Sequence, residues 1–161
     1  MKTFQVASDM VINASPDQVY AILADYDEGH QAILPRRYFK DMRVVAGGTG
    51  EGTKIVVDMD VLGNKATFNL TVSEPEPGRV LQEADEAAGI TTIFTVDPVN
   101  DGQQAKVEIR STNPAKPGLL GRLEQMVVTA VTKRIYREEL TQLSEYAQAA
   151  APAHQEAALE Q

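Results

Sequence analysis

The chain contains no cysteine and no tryptophan. Disulfides, thiolate metal sites and cysteine nucleophiles are therefore excluded, and a reducing, cytoplasmic setting is the natural expectation. Basic residues are few: 15 Lys and Arg stand against 23 Asp and Glu, for a net charge of -8. Arg36-Arg37 and Lys133-Arg134 are the only basic pairs, too little for the clustered phosphate contacts that nucleic-acid binding needs. No apolar run approaches the roughly 18 residues of a membrane-spanning helix, so no stable membrane insertion is expected. The opening MKTFQVASDMV lacks an unbroken apolar core, so no secretory leader is expected either. With one histidine outside the last residues, there is no set of three or four converging metal ligands, and nothing calls for a cofactor.

What is present is strongly patterned. From Pro117 to about Ala149 the chain reads as one long helix, about 45 Å in length. Leu119, Leu120, Leu123, Met126, Val127, Ala130 and Val131 mark one apolar face. The same stripe then runs into Arg134 and Glu138, while a second stripe, Tyr136, Leu140, Leu143 and Ala147, begins on another side. The two halves are expected to cover different things.

Before that helix almost everything has period two. Phe4 to Ile12 is predicted as a strand. Ser15, Pro16 and Gln18 then supply an N-cap, a first helical residue and a capping-box partner for a short helix. A second short turn, Gln31 to Leu34, stops at Pro35. Six strands follow, over residues 38–45, 53–61, 66–73, 79–85, 90–96 and 105–111. Short turns join them, among them Leu62-Gly-Asn-Lys65 and Asn100-Asp-Gly102. Short turns mean antiparallel neighbours, and one apolar row per strand means a sheet covered on one side. The expected inward rows are Ile55, Val57 and Met59; Phe68 and Leu70; Val80 and Ala84; Phe94; and Val107 and Ile109. This is an α+β chain of one domain over residues 1–149, with an Ala-rich, disordered tail over 150–161.

Gly47-Gly-Thr-Gly-Glu-Gly52 is not read as a phosphate loop, because a β-patterned strand follows it where a helix or Gly-Lys-Ser/Thr is required. It reads as a tight connection that needs φ > 0. Asp25, Asp27, Glu28 and His30 form the densest polar cluster. It reads either as a solvated loop or as an acid/base pair built on His30. Arg134 is either half of a helix-surface ion pair with Glu138 or the holder of a ligand carboxylate or phosphate.

The segments INASPDQVYAILADYD (Ile12 to Asp27), HQAILPRRYF (His30 to Phe39), GGTGEGT (Gly47 to Thr53) and RIYREELTQLSEYA (Arg134 to Ala147) resemble the START-like, or SRPBCC, superfamily. The likeness is to its bacterial polyketide cyclase/dehydrase and lipid-transport-like branch. That resemblance implies a helix-grip fold: a curved antiparallel sheet of about seven strands around the long C-terminal helix, with two short helices after the first strand. It also implies a cavity between sheet and helix, and carries over no catalytic residue. The expected lining is Leu34, Pro35, Ile55, Val57, Met59, Phe68, Leu70, Thr92, Phe94, Ile109, Leu123, Met126, Val127, Ala130 and Arg134. Three functions follow from this reading. The first is binding, sequestration or transport of a small hydrophobic or amphiphilic molecule. The second is a cyclase or dehydratase reaction, with His30, Tyr38 and Asp58 as catalytic candidates. The third is a ligand-free regulatory or chaperone-like domain, signalled by an exposed apolar patch. Gln82, Thr92 and Arg134 are the only polar residues expected on the inner face, which favours the first.

Overall fold

The structure, a computed structural model, describes the backbone of residues 1–159 and the side chains of residues 1–150. Strand β1 (Thr3–Ile12) is followed by two short helices, α1 (Pro16–Ala24) and α2 (Gly29–Ile33). Six strands come next: β2 (Phe39–Ala46), β3 (Lys54–Val61), β4 (Asn64–Glu76), β5 (Val80–Asp85), β6 (Ile90–Val99) and β7 (Gln104–Pro114). Helix α3 (Gly118–Leu159) closes the described chain. All seven strands form one antiparallel sheet in the order β1-β7-β6-β5-β4-β3-β2. This is the helix-grip arrangement expected from the resemblance. The register shifts along β2–β3 and β4–β5 are the kind of irregularity that bends a sheet.

Local chemistry accounts for the elements. Ser15 caps α1 by accepting from the Gln18 amide, and Pro16 opens the helix. The β3–β4 hairpin turns on Leu62 and Gly63, at φ of 54° and 83°, and not on the Gly-Asn pair the sequence suggests. Asn64 already belongs to β4. Helix α3 is unbroken and continues past Ala149 into the segment expected as a disordered tail. Alanine, the best helix former, is frequent there, although Pro152 stands among the alanines.

The core sits where α3 crosses β1, α1 and α2. Ile135, Tyr136, Leu140, Leu143 and Ala147 are buried there against Val6, Ile12, Val19 and Leu23. Gln18 Nε2 donates to the Ala147 carbonyl at 3.1 Å and ties α1 to α3. The second stripe read from the sequence is thus the packed face. Most of the first stripe is bare: Leu119, Leu120, Leu123, Met126 and Val127 are exposed, and Val131 is half-buried.

The glycine loop after β2 is structural, as expected. Gly48 O accepts from Tyr26 N at 2.8 Å, and Gly50 N donates to Ala24 O at 2.9 Å. These bonds fix the link between α1 and α2. Gly48 has φ of 149°, and a Cβ there would run into the Asp27 carboxylate. Gly48→Ala is expected to lower stability by about 2 kcal/mol, read as a shift of the urea midpoint at unchanged slope. An unchanged midpoint would mean the loop does not hold this link.

Candidate functional site

Strands β2 to β7 and the first half of α3 enclose a cavity of about 730 Å³. Its walls are apolar: Ile55, Val57, Met59, Leu70 and Phe94 from the sheet, with Val128, Val131 and Ile135 from α3. Leu62, Asn64, Ala66 and Val127 are exposed residues and define its mouth. Leu62 holds its left-handed backbone there with its side chain largely in solvent. Glu124 also lies at the rim, paired with Lys116 at 2.8 Å.

The deep end is polar. His30, Glu83, Ser111, Tyr136 and Glu139 are all buried and all line the cavity. Tyr26, fully buried behind them, donates its phenol to Glu83 Oε1 at 2.7 Å. Burial, then the charge of Glu83, drives the Tyr26 phenol well above its ordinary range, so it stays a donor. His30 stacks on the Tyr26 ring, with centroids 4.5 Å apart, and meets Phe94 edge-on. His30 Nδ1 lies 2.7 Å from the Leu23 carbonyl, which can only accept, so that nitrogen donates. Its Nε2 faces Glu83 Oε1 at 3.4 Å. The Ser111 and Thr92 hydroxyls are hydrogen-bonding neighbours of the Tyr136 phenol, which burial pushes up to about 12.

Glu139 completes the group from α3. It is 3% exposed, and its Oε1 has no hydrogen-bond partner among the described residues. Burial first, and the nearby charge of Glu83 second, push its carboxyl up to about 8. At neutral pH it is mostly the neutral acid, able both to donate and to accept.

Of the residues expected to line the cavity, Leu34, Ile55, Val57, Met59, Phe68, Leu70, Thr92, Phe94 and Val127 do so. Pro35 does not; it is buried just after α2, and its carbonyl accepts from Tyr38 N and Phe39 N. Ile109 is packed in the core. Leu123, Met126 and Ala130 point away from the cavity because α3 is rotated so that Val128, Val131 and Ile135 face it. Arg134 also lies outside: its side chain is 67% exposed and pairs with Glu138, which Arg37 joins. Among the catalytic candidates only His30 reaches the cavity. Tyr38 is buried under the Arg37 guanidinium. Asp58 lies on the outer face with Arg43 and Thr67, whose bonds hold its carboxyl below the usual range, Thr67 first.

The polar cluster at the start of α2 divides in the same way. Asp25 accepts from the amides of Asp27, Glu28 and Gly29 and so organises the turn, while His30 is delivered inward. Of the hairpin turns, Leu62–Lys65 contributes Leu62 and Asn64, whereas Glu86–Gly89, between β5 and β6, contributes nothing to the lining. Sequence reasoning missed Glu83, Ser111, Tyr136 and Glu139 as cavity residues. The signal for Glu139 was present: it stands three residues after Tyr136 and four before Leu143, an acid inside an apolar stripe.

Fold and cavity together define a helix-grip protein of the START-like superfamily. Residues 3–148 match the family described as polyketide cyclase / dehydrase and lipid transport, and the chain belongs to that family. Comparison with curated proteins finds no significant match. Among solved structures, the chain resembles the KanY protein at 24% identity and a TM-score of 0.80, over 92% of this chain and 99% of that one. It resembles the Zhui aromatase/cyclase from Streptomyces sp. R1128 at 15% identity and a TM-score of 0.73, over 93% and 96% of the two chains. A START superfamily protein from Mycobacterium smegmatis aligns at 14% identity and a TM-score of 0.70, over 90% and 97%. At these identities the likeness is one of fold.

Proposed function

We propose that this protein binds a small, mainly apolar molecule with a polar end, for sequestration or transport. The supporting observation is the cavity itself: about 730 Å³, mainly apolar along its walls, with a buried polar group at its deep end. Its volume falls within the roughly 300–1,000 Å³ usual for ligand sites. Apolar walls reward chain length, at about 0.8 kcal/mol for each methylene buried. Affinity for straight-chain alcohols is therefore expected to rise about fourfold per CH₂ until the cavity is full. Native mass spectrometry and calorimetry with octanol, nonanol and decanol test this. A one-to-one adduct is expected, and Val57→Trp/Val131→Trp, which fills the cavity from opposite walls, should abolish it. Absence of an adduct with every alcohol, or equal binding by the filled variant, overturns the reading.

A second reading, an enzyme of cyclase or dehydratase type acting on the bound molecule, has one specific observation behind it. Glu139, Glu83 and His30 bring a buried acid and candidate bases to one end of the cavity. Turnover of a β-hydroxy ketone, lost in Glu139→Gln with binding retained, would favour this reading over simple carriage.

The bare ridge of Leu119, Leu120, Leu123 and Met126 is the exposed patch that the third, interaction-domain function requires. It accompanies the cavity and does not replace it.

A further inference from the structure

The charge balance of the cavity narrows the ligand. Its lining includes Glu83, Glu124 and Glu139 and, among the described residues, neither lysine nor arginine. Glu124 is already paired at the rim, so the deep end faces any ligand with two carboxyl groups and His30. The titratable groups around Glu139 come from each element packed there: Glu83 from β5, His30 from α2, Tyr26 from the α1–α2 link, and Tyr136 from α3 itself. Glu83 Oε1 is engaged by Tyr26 and approached by His30, whereas Glu139 Oε1 is buried, cavity-lining and without a protein partner among the described residues. A ligand carboxylate or phosphate placed here would meet like charge. An ammonium group would bring three donors and a positive charge to a site rich in acceptors.

We infer that the polar end recognised at this site is a protonated amine, seated on Glu139 and Glu83 with its apolar chain along the cavity walls. This rests on the proposed binding function and specifies its ligand class. On binding, Glu139 gives up its proton to solvent and becomes the counter-ion, so the net charge of the occupied site is unchanged. Atoms balance: one ammonium enters and one proton leaves. The charge-assisted hydrogen bonds formed are stronger than those an alcohol makes.

The test compares decylamine, decanol and decanoate by calorimetry at pH 7, in two buffers of different ionisation enthalpy. Decylamine is expected to bind at least about tenfold tighter than decanol, with decanoate weakest and close to one proton released per amine bound. In Glu139→Gln the advantage of amine over alcohol should fall to about threefold or less, and proton release should vanish. Glu83→Gln should also reduce the amine preference. Decanol binding as tightly as the amine, or an amine preference undiminished in Glu139→Gln, overturns the inference and leaves the binding function standing. Failure of all three compounds to bind overturns both.

Discussion

Glu139→Gln is expected to stabilise the unliganded protein by about 3 kcal/mol at pH 8 and to change its stability little at pH 5. The folded-state carboxyl titrates at about 8, against an ordinary 4.5. Below the lower value both states are protonated and the residue contributes nothing to the balance. Between the two, the unfolded chain releases its proton and the folded chain keeps it. The folded state then binds more protons, so stability falls as pH rises. Above about 8 the folded carboxyl ionises too, and the penalty stops growing. The full shift corresponds to nearly 5 kcal/mol at 1.36 kcal/mol per unit, and water admitted through the cavity mouth reduces it. Glutamine has the same shape and no charge, so it removes the penalty while retaining the packing. Urea unfolding of both proteins at pH 5, 6, 7 and 8 should give curves that diverge steadily. Parallel curves would place the Glu139 carboxyl in water. A residue that destabilises its own fold at neutral pH is the kind that function retains.

The sequence made the architecture legible because periodicity and turns are local. The switch from period 3.6 to period 2 after Pro35, and back after Pro117, marks the two short helices, the six following strands and α3. Glu83, one of the inner polar group, was hidden by a one-residue parity error. In β5, Val80, Gln82 and Ala84 form the more apolar row, yet Leu81, Glu83 and Asp85 are the buried ones. A shift of one residue exchanges the faces of a strand, so two acids passed for solvent-facing residues. Asp85 is buried for a separate reason: its carboxylate accepts from Asn69 N and Ala88 N, and those backbone bonds hold its pKa below the usual range.

Helix α3 misled in the opposite sense. Of its most apolar stripe, Leu119 to Val131, expected to face the sheet, only Val127 and Val131 line the cavity and the rest is bare, while Val128 and Ile135 from outside that stripe also face the cavity. An apolar row looks the same in sequence whether it meets a packed core, a hollow or solvent. The hollow itself was an expectation carried only by the family resemblance. Arg134 shows the limit of extending a stripe by rotation: at 67% exposure it belongs to the Arg37–Glu138 surface pairs.

Tyr26→Phe should cost about 3 kcal/mol, a large effect for the removal of one oxygen. The ring is fully buried, and phenylalanine preserves its stacking on His30, so the substitution isolates the hydroxyl. That hydroxyl makes a 2.7 Å bond to Glu83 Oε1, and both residues are buried. Without it Glu83 Oε1 loses its phenol donor, with His30 Nε2 standing 3.4 Å away. Hydrogen bonds to charged groups contribute about 1.5–3 kcal/mol, and leaving a buried charge under-satisfied lies at the upper end. A double-mutant cycle with Glu83→Gln separates the charge from the packing. In the Glu83→Gln background the tyrosine still meets an amide oxygen, but a neutral one, and its loss should cost only about 1 kcal/mol. Measured at pH 6, where Glu139 is protonated in both backgrounds, the difference reports the Tyr26–Glu83 bond directly. If Tyr26→Phe costs the same with and without the Glu83 charge, then the phenol is a packing element and the polar end of the cavity is not organised through it.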